Sequence, residues 1–350
     1  MAGKLVLGKR NILLLLLILL PVIEAAAADT ALVSWIDENH IRYSYDPFRK
    51  IGSMFKGRRT VSFTVDLPYF VVDYVYGIQI KPLYLNSEGS ILIPEETRSI
   101  LASLFEENGG IEDSFSITTI MIDPGHGGKD PGTIGTHYTG STRLQLKEKD
   151  LVLDVSKILF TKLRNKYPDK DILLTRDRDV YLELEERTEI ANAVELGKRE
   201  AMIFVSVHAN ASLNSSASGF EVWYLPPDYR RDLLDTENLS DNEKEIAPIL
   251  NTMMEEEFTV ESVILARSIL ASMETCIGDR SENRGMKEES WFVVRNAKMP
   301  SVLIEIGFVT NKAEAVLLSD DEYLIELCDG IYNGLVDYID KFDGTGGFTQ

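Results

Sequence analysis

The sequence predicts an α/β protein: a twisted, mainly parallel sheet flanked by helices, preceded by a small β-rich domain. Three observations predict it. From Ser116 onward, short apolar runs alternate with stretches whose apolar residues repeat at helical spacing. Those runs are buried-strand-like, continuous rather than alternating, as parallel strands covered on both faces must be. Before residue 107 the dominant period is instead two, the signature of half-buried strands.

The elements follow in order. Lys4, Lys9 and Arg10 precede the apolar run Ile12–Ile23, and Glu24 with the small residues Ala25–Ala28 closes it. A basic start, a short apolar core and an A-x-A site predict a signal peptide over 1–28, cleaved before Asp29. The run is short for a membrane helix, which needs about 20 apolar residues. Membrane contact is therefore expected only through the uncleaved signal peptide, and the mature chain is expected to be secreted or periplasmic. Residues 29–107 form the β-rich domain: Ile41, Tyr43 and Tyr45 alternate, Val61, Phe63 and Val65 do likewise, and Phe70–Val75, Gly77–Ile80 and Ile91–Ile93 follow. Pro94 opens a short helix carrying Ile100, Leu101 and Leu104. Trp35, Tyr43, Tyr45, Tyr69, Tyr74 and Tyr76 are expected to pack in this domain's core rather than to form a sugar platform. A linker spans 108–116.

The larger domain covers 117–342. Its expected elements are the strand Ile117–Ile122, the helix Glu148–Lys166, the strand Asp171–Thr175 and the helix Leu182–Leu196. The strands Ala201–Val207 and Phe220–Leu225, the helix Val260–Ile277, the strand Ser301–Ile306 and the closing helix Glu322–Asp340 complete it. Between the Phe220–Leu225 strand and the following core helix lies an acidic insertion, 226–261, helix-like over Ile246–Phe258.

Composition bounds the function. A net charge of −20, from 36 Lys+Arg against 56 Asp+Glu, excludes a protein built to bind nucleic acid, which needs a basic face. The two cysteines, Cys276 and Cys328, are too few for a four-thiolate metal site and are read either as a disulfide or as buried thiols.

Three strands end in polar residues that packing does not require: Asp123-Pro-Gly-His126-Gly-Gly, His208-Ala-Asn210, and Glu305 within Ser301–Ile306. Ligand sites in open α/β sheets form beyond the carboxyl ends of strands, so these residues imply one shared site. Two histidines and a carboxylate with an open fourth position form the ligand set of a catalytic Zn2+ site. Glu148, at the start of the helix that follows the 126–147 loop, is placed to be the carboxylate. Glu305 suits the general base that accepts a proton from water and passes it to a leaving amine. Other readings stay open at this point: Glu148 as a helix-start residue favoured by the dipole, and Glu305 as a partner of Arg284 or Arg295. Arg176 and Arg187 are read as ion-pair partners, His40 and His137 as surface residues, and Asn210 as either an orienting or a peptide-binding group.

The strings Ile122-Asp-Pro-Gly-His-Gly-Gly-Lys-Asp-Pro-Gly132, Lys147-Glu-Lys-Asp, Leu174-Thr-Arg176, Ser206-Val-His-Ala-Asn-Ala211 and Glu305-Ile-Gly-Phe with Thr310-Asn311 occur in that order. Over 117–340 the chain so resembles the zinc-dependent N-acetylmuramoyl-L-alanine amidases of bacterial cell walls. The resemblance implies Zn2+ held by His126, Glu148 and His208, and Glu305 as the catalytic glutamate. It implies peptidoglycan as substrate, cut between the lactyl group of N-acetylmuramic acid and L-alanine. The alternatives are another zinc amide hydrolase acting on stem peptides and an inactive wall-binding scaffold. Related amidases with an inserted helix imply a further expectation. Ile249, Leu250, Met253 and Met254 would lay the insertion over the cleft, and one of Glu255, Glu256 or Glu257 would occupy the metal until an activator protein withdrew it. The bland reading of the insertion is a solvated acidic loop.

Overall fold

Period-two alternation builds the N-terminal domain as expected, and two short helices close its core. The computed structural model describes residues 29–57, 59–73, 76–106, 115–197, 199–234 and 241–347, with the backbone of 4–7 and 12–15, which pair antiparallel. The rest of the expected signal peptide, residues 108–114 of the linker, Tyr74 and the acidic run 235–240 lie outside the described residues. Five antiparallel strands form a meander in chain order: β1 (Arg42–Asp46), β2 (Ile51–Lys56), β3 (Arg59–Thr64), β4 (Tyr69–Val72) and β5 (Tyr76–Gln79). The helices α1 (Leu32–Glu38) and α2 (Glu95–Glu106) bury Leu32, Trp35, Leu101 and Phe105 against Met54, Val61, Phe63, Phe70 and Val72. Tyr43 and Tyr45 lie 6.5 and 6.4 Å from the Phe63 ring, so these two aromatics do pack rather than form an open platform. The sequence reading missed α1, whose apolar residues Leu32, Trp35 and Ile36 sit at helical spacing in too short a run to stand out.

The second domain is a three-layer α/β unit. Its strands are β6 (Ser116–Pro124), β9 (Asp171–Leu174), β10 (Glu200–Asn210), β11 (Phe220–Tyr224), β12 (Asn283–Glu288) and β13 (Ser301–Phe308), in the order β9-β6-β10-β13-β11-β12. The first four are mutually parallel, β11 runs antiparallel to β13, and β12 is parallel to β11. The mainly parallel sheet is therefore as expected, with one reversal. Helices α3 (Glu148–Lys166), α5 (Asp241–Ile277) and α8 (Asp321–Thr345) cover one face, burying Val155, Leu159, Ile269, Met273, Leu327 and Ile331 on Ile120, Val205 and Ile304. Helices α4 (Leu184–Asn192) and α6 (Phe292–Asn296) cover the other, against Met121, Phe204 and Leu303. A short helix, α7 (Lys312–Leu317), follows β13, and a hairpin of β7 (Ile134–Thr139) and β8 (Thr142–Lys147) stands between β6 and α3.

One expectation needs correction, and one open alternative is decided. The helical end of the insertion and the next core helix are one helix, α5, because no glycine or proline interrupts the chain between Pro248 and Gly278. Cys276 and Cys328 are free thiols; Cys328 is buried and its Sγ reaches the Val155 carbonyl at 3.6 Å, while burial pushes its pKa up to about 12.

Candidate metal centre

The loop leaving β6 carries His126, the end of β10 carries His208, and α3 opens on Glu148. Among the described residues these three are the group of side chains whose donor atoms come together as metal ligands would, all within 4.8 Å of one another. Glu148 Oε1 lies 3.1 Å from His126 Nε2 and 3.0 Å from His208 Nδ1. The same oxygen accepts the Ala209 N–H at 3.1 Å, and Oε2 accepts that of Thr133 at 2.8 Å. Burial would raise the Glu148 carboxyl, but the bonds to His126 and His208 outweigh it and hold the group well below the usual carboxylate range. Burial likewise disfavours charge on His126, and Glu148 and Asp130 overcome it in the other direction.

Local backbone makes this approach possible. A Cβ on Gly125 would stand 2.3 Å from the His208 ring, and one on Gly132, at φ +61, 2.6 Å from Glu148 Oε2 and 2.7 Å from the His126 ring. Only glycine fits at either place. His126 itself sits at φ +57, a region a non-glycine residue enters only when its surroundings dictate it. The surroundings are plain. Arg187 donates to the Pro124 and His126 carbonyls and to Asp123 Oδ1 (2.8 Å), and Arg176 donates to the Pro124, Gly125 and Lys149 carbonyls. Lys149 closes the far side of the loop on the Gly128 carbonyl and Asp179. Arg187 is thus the ion-pair partner the sequence suggested, whereas Arg176 holds backbone carbonyls.

Glu305 lies beside the cluster. It pairs in register with His208 on one side and with Glu221 on the other. Its Oε2 is buried and makes no hydrogen bond among the described residues. Burial, then the negative charges of Glu148 and Glu221, raise its proton affinity well above that of an ordinary carboxylate, with Lys287 opposing. The alternative partners are engaged elsewhere or absent: Arg284 Nε bonds Glu221 Oε2 at 2.7 Å, and Arg295 forms no ion pair with Glu305. Two imidazoles and a carboxylate with converging donor atoms, next to an acid whose buried Oε2 makes no hydrogen bond among the described residues, fit a metal-assisted hydrolytic site.

Several participants escaped the sequence. Asp130 Oδ2 holds His126 Nδ1 at 2.7 Å; its Asp-Pro-Gly setting reads as a turn. Glu221 is buried and takes Asn210 Nδ2 (2.7 Å), Trp223 Nε1 (3.2 Å), Arg284 and Lys287. Asn210 therefore orients Glu221 rather than a ligand. His137 is half-buried, not a free surface group, and its Nε2 meets the Val309 carbonyl at 2.8 Å, tying the β7–β8 hairpin to the end of β13. His40 is exposed, as expected.

Among its described residues, the insertion adds no carboxylate to this centre. Glu255 is buried against Arg231, with Oε1 2.9 Å from Nη2 and both oxygens within 3.0 Å of Nε, while Arg231 Nη1 donates to the Ala297 carbonyl. Glu256 pairs with Arg49 of the N-terminal domain at 2.9 Å, and Glu257 is buried on the same helix, outside the ligand group. The apolar residues expected to lie over the cleft face the N-terminal domain instead: Leu250 and Met254 pack with Val71, and Ile249 and Met253 line a crevice with Phe63 and Tyr69. The apolar side chains expected to seat a plug are thus occupied at the N-terminal domain.

Comparison with known proteins identifies the family. The family model for N-acetylmuramoyl-L-alanine amidase matches residues 120–337. The amidase LytC of Bacillus subtilis is 32% identical over 63% of this chain, a match spanning 35% of LytC. The amidase AmiA of Salmonella typhimurium is 29% identical over 66% of this chain and 79% of its own length. A solved N-acetylmuramoyl-L-alanine amidase from Clostridium difficile 630 aligns over 64% of this chain and 98% of that structure at 30% identity, with a TM-score of 0.46.

Proposed function

This chain belongs to the N-acetylmuramoyl-L-alanine amidase family, and from that premise we propose that it is a zinc-dependent, exported amidase with Glu305 as its general base. It is a peptidoglycan hydrolase that cuts the amide joining N-acetylmuramic acid to L-alanine. His126, Glu148 and His208 would hold the metal: two neutral nitrogen donors and one carboxylate, the donor set zinc prefers in catalytic sites. Zinc, when bound, supplies Lewis-acid polarisation of the amide carbonyl and activation of a water.

The chain's own residues do the rest. Asp130 keeps the His126 proton on Nδ1, leaving Nε2 as the donor atom. Glu305 takes a proton from the attacking water and returns it to the leaving L-alanine nitrogen. A cation in the adjacent cluster favours the ionised Glu305 that this first transfer requires, against the burial that favours the protonated form. The observation that carries the reading is the lateral register of His208 and Glu305, which sets a carboxylate whose buried Oε2 makes no hydrogen bond among the described residues beside the ligand group. The basic, apolar and small-residue succession over 1–28 supports export to the cell envelope, with 29–107 as a separate domain and 117–342 as the catalytic one.

The test has two arms. The mature protein should hold one zinc per chain, lose it in His208→Ala, and release stem peptides beginning at L-alanine from purified wall. Glu305→Gln should retain zinc and turn over at least about 10²-fold more slowly. Stoichiometric zinc in His208→Ala, or near-normal turnover in zinc-loaded Glu305→Gln, overturns the corresponding assignment.

A further inference from the structure

Beyond Glu305, on the side away from the ligand group, lie two tryptophans that the hydrolytic chemistry does not use, one on the sheet and one packed against it. Trp223 lies on β11 two residues from Glu221, and the register pairs Glu221 with Glu305 and Trp223 with Leu303. Side chains two apart on a strand share a face, and diagonal neighbours on adjacent strands stand roughly 7–8 Å apart. Trp223 therefore shares the Glu305 face, one step along it. Its indole N–H donates to Glu221 Oε1 at 3.2 Å, and the Lys287 ammonium lies 5.1 Å from its ring centroid. Both contacts fix the ring.

Trp291, the residue before α6, meets Trp223 edge to face, with centroids 5.8 Å apart and planes at 85°. It is 43% exposed, whereas Trp223 is half-buried beneath it. A tryptophan braced by a second ring yet open to solvent offers a flat, amphipathic surface at little entropic cost, one ring beyond the Trp223 that shares the Glu305 face.

We propose that Trp291, held by Trp223, is the stacking platform for a pyranose ring of the glycan strand during hydrolysis. The inference rests on the amidase reading for the identity of the substrate, and substrate chemistry selects the occupant. On one side of the scissile amide lies a chain of sugars, each with a flat C–H face and a polar rim. On the other lies a peptide opening on alanine, whose methyl group gives a ring nothing flat to stack on. Exposed Glu289 and half-buried Ser290 immediately precede Trp291 and put polar groups next to it in the chain.

The test separates platform from chemistry. A peptide-free GlcNAc–MurNAc oligosaccharide, titrated into the full mature chain, should change tryptophan emission saturably. In Trp291→Ala and in Trp291→Leu, which fills the space without a flat face, affinity read by calorimetry should fall roughly tenfold; Trp291→Phe should keep part of it. On purified wall the loss should fall on KM rather than kcat. Unchanged glycan affinity and KM in both variants, or a wild-type response to an L-alanine-led stem peptide and none to the glycan, overturns the proposal. Because the binding measurement involves no cleavage, a failure of the amidase reading shows separately, as wall from which no stem peptide is released.

Discussion

Asp130 is the residue on which the His126 geometry turns. His126 adopts φ +57 at a cost of order 1 kcal/mol or more, and the Asp130 carboxylate fixes its ring through Nδ1 at 2.7 Å. The Gly132 N–H holds Asp130 in turn at 3.0 Å, so the orienting group is itself oriented. Burial pushes the Asp130 carboxyl up, and the Gly132 and His126 bonds outweigh it, keeping it ionised. Replacing Asp130 by Ala should leave three ligands in place but free the ring and its tautomer. Zinc affinity, measured by competition with a chromophoric chelator, should weaken roughly 10–100-fold. An unchanged affinity would show that the Arg187 and Gly-rich loop contacts suffice. His126, His208 and Glu305 were legible in the sequence because each breaks an apolar strand end. Asp130 and Glu221 were not, because an aspartate before Pro-Gly looks like turn chemistry and Glu221 acquires its meaning only from strands distant in sequence.

At the scale of elements, β6 is tied to α4 by a buried ion pair. Asp123 is fully buried and bonded to Arg187 (2.8 Å), Thr175 (2.6 Å) and Ser206 (2.8 Å). Burial raises its pKa, and Arg187, Thr175 and Ser206 more than reverse that, so the folded value lies below the ordinary one. A depressed carboxylate contributes stability that is complete above the unfolded value of about 3.9 and is lost as pH falls through the folded value. Asp123→Asn should therefore destabilise the protein by on the order of 3 kcal/mol at pH 7, and the gap in urea midpoint between parent and variant should narrow as pH drops below about 4. A gap that stays constant down to pH 3 would mean that the charge on Asp123 contributes nothing. Helix α3 matched its expected bounds because its apolar residues keep one face over its whole length. The β7–β8 hairpin and β12 did not announce themselves: both are polar, exposed edge structures such as Thr142–Lys147 and Asn283–Glu288, which burial never had to pattern.

At the scale of the whole molecule, the question is what the acidic insertion is for, and strand β4 answers it. Phe70 and Val72 point into the N-terminal core, whereas Val71 and Tyr69 point out, onto Leu250, Met253, Met254 and Phe258 of α5. The unbroken apolar run Tyr69–Val72 is thus the mark of a strand buried on two sides by two domains, a meaning invisible while only one domain was in view. Charged contacts frame the same interface: Arg49 with Glu256, and the buried Asp73 with Arg59 of its own domain and Arg199 of the other. The amino-terminal half of α5 is therefore a strut between domains, and the Arg231–Glu255 pair anchors it to the catalytic unit. Val71→Asp places a charge where no partner waits, at a cost of several kcal/mol unless the interface opens. Opening is the cheaper outcome. Hydrogen exchange should accelerate over 247–258 and along β4, while exchange in α3 and β10, zinc content and kcat remain within about twofold of the parent, since no residue of the His126–Glu148–His208 group touches the strut. A several-fold rise in wall hydrolysis on the same substitution would instead return the insertion to an inhibitory role.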